Sequence, residues 1–210
     1  MQAWTSVRTT ERRAGGTAWV KPAKPAVFLL ALAPALLLAW RGFHDGLGAN
    51  PIETITHATG DWTLRFLAIS LAVTPLRELL RLPELIRFRR MLGLFAFFYG
   101  TLHFLTYIWL DKFFDLHDIA KDVAKRPFIT AGFTAFVLLG PLAVTSTTGW
   151  IRRLGGKRWR ALHRLVYVSI AAGVVHYWWL VKSDIRKPLL YGVLAAVLLG
   201  YRAVRKVMAR

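Results

Sequence analysis

The sequence predicts an all-α membrane protein, a six-transmembrane helix bundle with its N- and C-termini in the cytoplasm. Apolar runs of close to twenty residues recur along the 210-residue chain, which is 55% apolar and 13% aromatic with a mean hydropathy of +0.40. Runs of that length match the hydrocarbon thickness of a bilayer. Basic residues lie between those runs and not on one polar face, so the net charge of +18 reads as membrane topology and excludes a nucleic-acid surface. The basic residues also alternate in density from one connection to the next. The N-terminal tail, the two basic connections and the C-terminal tail hold 19 Lys and Arg, whereas the three opposite loops hold eight (Arg41, Lys112, Lys121, Lys125, Arg126, Lys182, Arg186 and Lys187). Excess Lys and Arg mark the cytoplasmic face.

Taken in order, residues 1–25 form a basic tail, and residues 26–204 form the transmembrane domain. The first span is expected over 26–41; no A-x-A-like site follows it, so it reads as a retained helix and not as a cleaved signal. Residues 42–60 read as a loop. Span two covers 61–80, followed by the basic connection RLPELIRFRR. Span three covers 91–110, and an acidic-basic loop covers 111–128. Span four covers 128–147 and precedes the tight basic loop TTGWIRRLGGKRWR. Spans five and six cover 161–181 and 188–204, and residues 205–210 form a second short tail. Gly192, Ala196 and Gly200 make a small-residue stripe on span six that suits close helix packing. Pro34, Pro75 and Pro141 fall within or near span ends, which bundles tolerate. No internal repeat or low-complexity tract stands out.

Cysteine is absent, which excludes disulfides, Cys-ligated iron–sulfur clusters and thioether-attached haem. Histidine is the chemistry-bearing residue that remains. An ionisable residue inside a span is costly and marks a functional site by default. From the cytoplasmic entry of span three, His103 lies about 18 Å deep by the helix rise, and from that of span five His176 lies about 22 Å deep. The two are within about one turn of each other in depth, so they could supply the axial imidazoles of one b-type haem. Gly100 and Gly173 each precede the histidine by three residues and share its face, leaving bare patches where a porphyrin could lie.

His163 sits at the cytoplasmic edge of span five. No histidine faces it from span three, where Arg89 and Arg90 stand instead, and it is about 140° around the helix from His176. It reads either as a ligand of an inner haem or as a hydrogen-bonding residue at a helix start. His57, at the outer mouth of span two, could cap that helix or meet a quinone head group. His44 and His117 read as solvated loop residues. Arg65 and Arg164, just inside spans, could neutralise haem propionates or snorkel to the interface.

The stretches RRMLGLFAFFYGTLHFLTYIWLD, RPFITAGF, LAVTSTTGWIRRLGGKRWRALHRLVY and HYWWLVK, with the loop GLGANPIETITHATG, resemble the MsrQ family (formerly YedZ). That family is a set of membrane haem proteins in the ferric-reductase-like transmembrane group that also includes NADPH oxidases. The resemblance runs from about residue 45 to 202. It implies a subunit of the bacterial inner membrane that carries electrons from the quinone pool or a flavin reductase. The acceptor it implies is a periplasmic MsrP-like molybdoenzyme that reduces methionine sulfoxide in oxidised proteins. It also implies FMN beside haem b. The family's haem-ligand histidines match His103, His163 and His176. The chain's Arg89 and Arg90 stand where NADPH oxidases have a fourth histidine, which puts a second bis-histidine haem in doubt. No nucleotide-binding motif is present, so the donor is expected to be a separate protein or the lipid-borne quinone. Competing readings are a ferric or metal-ion reductase of the same group and a non-redox scaffold or transporter.

Overall fold

A backbone in hydrocarbon has no water to bond, so apolar runs satisfy their amides internally and fold as helices. The computed structural model, which describes residues 18–181 and 183–208, contains helices and no strand among those residues. In chain order they are α1 Val20–Phe43, α2 Pro51–Leu79, a 3₁₀ turn Pro83–Leu85, α3 Ile86–Leu105, a π segment Thr106–Asp111, α4 Leu116–Lys125, α5 Pro127–Val144, α6 Thr148–Leu162, α7 Leu165–Leu180 and α8 Arg186–Met208. Most of the basic N-terminal tail lies outside the described residues, and α1 begins inside its expected range.

Among the described residues four elements are long and apolar enough to cross a membrane: α1, the continuous rod Pro83–Asp111, α5 and α8. The helix α7 is apolar but has 16 residues. The 29-residue α2 carries Asp61, Arg65, Arg77 and Glu78, and that charge lowers its hydropathy.

Several expected loops are helical. Residues 51–60 open α2, because Asn50 and Glu53 cap each other: the Glu53 amide donates to Asn50 Oδ1 at 3.2 Å and Asn50 Nδ2 to Glu53 Oε2 at 2.9 Å, with Pro51 at the first helical position. Asp115 caps α4 in the same way, accepting from the Asp118 amide. Thr147 caps α6 through the Trp150 amide. That helix changes direction at Gly155, whose φ of +71° is open to glycine at little cost. The apolar stretch expected as one helix from residue 161 is interrupted at His163 and Arg164, where i−3 hydrogen bonds tighten the turn into α7.

Two helical hairpins organise the bundle. The helix α2 packs along α3, α5 packs along α7, and the hairpins meet through α3–α5 and α2–α7. Phe66 stacks on Tyr99 at 5.4 Å and on Phe95 at 5.6 Å in the first hairpin. The Tyr99 hydroxyl inserts into the α1 ladder, donating to Ala31 O at 2.8 Å and accepting from the Ala35 amide at 3.1 Å. On α8 the packed face is Pro188, Tyr191, Ala195 and Leu198, whereas Ala196 and Gly200 of the expected small-residue stripe point outward. The stripe loses because Tyr191 is anchored to α2, accepting from Arg65 Nε at 3.3 Å.

Candidate functional site

The four helices of the two hairpins enclose a cavity of about 340 Å³, with α2, α3, α5 and α7 each contributing a wall. His103 of α3 and His176 of α7 face each other across it, their ring centroids 6.0 Å apart and their planes at 77°. Two imidazoles bound to opposite sides of one metal, each by a bond of about 2 Å, have centroids roughly 6 Å apart. The observed 6.0 Å is close to that value.

The tautomers follow from the hydrogen bonds. His103 Nδ1 lies 3.0 Å from the Thr56 carbonyl and His176 Nδ1 lies 2.6 Å from the Phe128 carbonyl. A carbonyl only accepts, so each Nδ1 carries the proton and each Nε2 keeps its lone pair. This is the outer arrangement that metal-bound histidines adopt, and it fixes both tautomer and ring orientation. Each hairpin is self-contained in this respect, because α2 holds the histidine of α3 and α5 holds that of α7.

Glycines make those contacts possible. A Cβ at Gly60 would come within 3.2 Å of His103 Cε1 and Nδ1, and one at Gly132 within 2.7 Å of His176 Nδ1. In both hairpins the accepting carbonyl is at position i and the glycine at i+4, on the same helix face. Thr56, Gly60, Leu67, Gly100 and His103 of the first hairpin recur as Phe128, Gly132, Leu139, Gly173 and His176 of the second, offset by 72 or 73 residues. Four of these five pairs are identical residues, so the two hairpins present matching side chains to the cavity. Gly100 and Gly173 line the cavity as well. Their missing side chains face Thr63 and Leu64 at 3.6 and 3.1 Å, not the imidazoles.

One hydroxyl is left over. Ser169, fully buried on α7, lines this cavity with its Oγ unpartnered. At the mouth stand His57, Asp61, Asp111 and Arg126. His57 is half exposed and 3.5 Å from Glu53. Arg65 lies outside this lining: it reaches Tyr191 and Asp61 and sits over the Trp62 ring at 4.6 Å. His44 stacks on Trp40, and His117 is exposed.

His163 belongs to a second cavity, of about 450 Å³, at the opposite end of the bundle. Its Nε2 is 3.1 Å from Thr145 Oγ1 and its ring stacks on Trp159 at 4.0 Å. Arg164 lines the same cavity, as do Arg89, Arg90 and Arg160, while Leu67 and Leu139 line both cavities. The offset of 73 residues that relates His103 to His176 also relates Arg90 to His163, and both of these line this cavity.

Among the described residues no group of three or more His, Asp or Glu is placed to hold a bare metal ion. The His103–His176 pair offers two ligands, so an ion held there must bring its other ligands with it.

Residues 59–174 match the family described as ferric reductase like transmembrane component. The chain is 60% identical to the protein-methionine-sulfoxide reductase heme-binding subunit MsrQ of Herminiimonas arsenicoxydans, over 85% of this chain and 83% of that protein. It is 51% identical to the MsrQ of Polaromonas naphthalenivorans (90% and 88% covered) and 55% identical to that of Azospira oryzae (88% and 79% covered). No solved structure matches it.

Proposed function

The chain belongs to the ferric-reductase-like transmembrane family and, within it, to the MsrQ family of multi-pass membrane proteins; from that premise we propose that it is a b-type haem electron-transfer subunit of a methionine sulfoxide reductase. The observation that carries the reading is the facing pair of imidazoles with both Nδ1 protons tied to backbone carbonyls. His103 and His176 would hold the iron of a haem, whose tetrapyrrole would supply the ligands the pair does not. The rest of the cavity suits such a group. Gly60 and Gly132 leave room for the two imidazoles, Gly100 and Gly173 let Thr63 and Leu64 pack close, and Ser169 offers an unpaired hydroxyl from the cavity wall. Arg126, paired with Asp122 at the mouth, is the basic residue of the lining that a propionate there would meet.

Haem bound at this site supplies a one-electron iron(III)/iron(II) couple. The protein's own part is to hold both imidazoles in the neutral Nδ1–H tautomer and to exclude water with the apolar walls Leu64, Leu67, Phe104, Phe136 and Leu139. His163 is the third family-matched histidine. Its Nε2 is engaged by Thr145, so axial ligation there would first have to break that bond.

In this reading α2 and α7 cross the membrane beside the four longer apolar elements, six spans in all, with both termini in the cytoplasm of a Gram-negative inner membrane. The His103–His176 cavity then lies in the periplasmic half. Electrons enter from the quinone pool or a flavin donor, with FMN as the family's further cofactor, and leave to a periplasmic MsrP-like molybdoenzyme that repairs oxidised proteins. Reduced-minus-oxidised spectra of the purified protein are expected to show a six-coordinate b-type haem. Cells lacking the protein are expected to lose periplasmic methionine sulfoxide reduction. Purified protein without a b-type signal would overturn the haem assignment, and unaltered sulfoxide reduction would overturn the partner.

A further inference from the structure

The outer end of the bundle carries a strained and exposed turn that the histidine cavity does not use. Between the π segment and α4 the backbone reverses, and Phe113 and Phe114 stand there with φ of +47° and +62°. The left-handed region crowds a side chain's Cβ, so bulky residues occupy it only where their surroundings hold them. Here they do. The Lys112 amide donates to Tyr107 O at 3.0 Å and the Phe114 amide to Ile108 O at 2.9 Å, while Lys112 Nζ pairs with Asp118 and Asp122. Burial of the rings does not offset the strain, because Phe113 is 80% exposed, Phe114 57% and the next apolar residue, Leu116, 76%. A turn held against its own preference, with two phenylalanine rings in the open, has the marks of a recognition surface.

Two observations identify what covers the rings. The flanking charges are acidic: Asp111 and Asp115 bracket the two phenylalanines, and among the described residues neither is in an ion pair. Insertion into a leaflet would carry both carboxylates toward hydrocarbon and anionic head groups, which is costly. A protein pocket with a basic rim would instead be met by them. The patch is also continuous with the mouth of the His103–His176 cavity, which Tyr107, Asp111 and Arg126 line. Tyr107 ties that lining to α4 by donating to Asp122 at 3.3 Å. We propose that Phe113, Phe114 and Leu116, flanked by Asp111 and Asp115, form the docking surface for the catalytic subunit of the methionine sulfoxide reductase, which meets them with an apolar pocket rimmed by Lys and Arg. The rings are the buried anchor of the complex, and the carboxylates steer the encounter. A subunit seated there stands beside the mouth of the cavity that holds the imidazoles. The identity of the partner rests on the functional reading above.

The test uses the full haem-loaded chain in nanodiscs and the purified MsrP-like subunit as the probe, with binding rates read by interferometry. The double variant Phe113→Asn, Phe114→Asn removes both rings and keeps the turn, since asparagine tolerates left-handed φ. It should retain the wild-type haem spectrum and bind the subunit roughly 30-fold more weakly. Phe43→Asn removes an exposed ring from the end of α1 and should bind like the wild type. Asp111→Asn with Asp115→Asn keeps the cap of α4 and should slow association at low salt while leaving dissociation unchanged. Wild-type affinity in the double phenylalanine variant would overturn the docking surface and leave the partner reading standing. No binding by a wild type that carries b-type haem would overturn both. A loss seen in nanodiscs and absent in detergent would assign the rings to the leaflet and overturn the proposal, as would an equal loss in Phe43→Asn. The carboxylate variant decides independently of the rings: a salt dependence of association equal to that of the wild type would overturn the basic-rimmed partner face.

Discussion

Gly132 lies one turn beyond Phe128, whose carbonyl holds His176, and a Cβ at Gly132 would come within 2.7 Å of His176 Nδ1. Real Cβ atoms do not approach that closely, so any side chain at 132 must push the imidazole off its carbonyl. In a helix interior alanine is favoured over glycine by about 1 kcal/mol, so Gly132→Ala is expected to leave the fold as stable as before and to damage the site alone. Lost orientation by an outer partner costs about 10–100-fold in metal affinity. Haem content should fall by that order, with the helical circular dichroism unchanged. Gly60→Ala should do less, because its Cβ meets His103 at 3.2 Å. Full haem content and an unaltered spectrum in Gly132→Ala would refute the cradle.

The histidines themselves should separate into two classes. His103→Ala and His176→Ala each remove one ligand from the same ion and should abolish most bound haem. His163→Ala should leave haem content at the outer site and shift the spectrum or the occupancy only slightly, since His163 meets Thr145 and Trp159 in the other cavity. His57→Ala, exposed at the mouth, should retain haem. Pyridine haemochrome content per protein is the measurement; equal losses from His163→Ala and His103→Ala would merge the two classes.

Much of this site was legible in the chain, for definite reasons. His103 and His176 stood out because an ionisable group inside an apolar run has few bland explanations, and the helix rise turned their positions into depths. The holding groups were hidden: Thr56 and Phe128 act through backbone carbonyls, which every residue type carries. Gly60 and Gly132 are distant in sequence from the rings they clear, whereas Gly100 and Gly173 were visible at i−3 and turned out to face other side chains. Arg65, which reads from the sequence either as a propionate contact or as a residue snorkelling to the interface, contacts Asp61, Trp62 and Tyr191. The expected loops at 111–128 and 147–160 formed helices because capping by Asp115 and Thr147 outweighed their polar composition.

The outer rim offers a prediction about pH. Lys112 Nζ lies 2.5 Å from Asp118 Oδ2 and 2.6 Å from Asp122 Oδ2, and Arg126 Nε is 3.3 Å from Asp122 Oδ1. These contacts tie the end of the π segment to α4 and to the start of α5. The hydrogen bond from Lys112 holds the Asp122 carboxyl below its usual range, and hydrogen bonds to Asp118 and Asp122 raise the Lys112 ammonium. A depressed carboxyl stabilises the fold above its unfolded pKa of about 3.9, and that contribution is lost as pH falls through the folded value. A raised ammonium stabilises below about 10.4 and is lost as pH rises through its own folded value. Lys112→Met should therefore lower Tm by a constant amount between about pH 5 and 9, with the gap from wild type closing in strong acid. Lys121→Met, exposed on α4, is the control; a Tm loss in Lys112→Met no larger than that control would show the network to be idle.

Ser169 gives the sharpest separation between an empty cavity and a filled one. Its Oγ is buried and unpartnered among the described residues, and a buried hydroxyl without a partner costs about 1–3 kcal/mol. Removing it from the haem-free protein should therefore raise stability or leave it unchanged. If a bound group supplies the missing partner, Ser169→Ala removes a hydrogen bond worth about 1 kcal/mol from the loaded protein, roughly fivefold in retention. The two effects have opposite signs, so thermal unfolding of the apo protein and haem retention of the holo protein should move in opposite directions. Loss of apo stability in Ser169→Ala would show that the hydroxyl has a partner within the protein, and wild-type haem retention would show that it has none in the cavity's ligand.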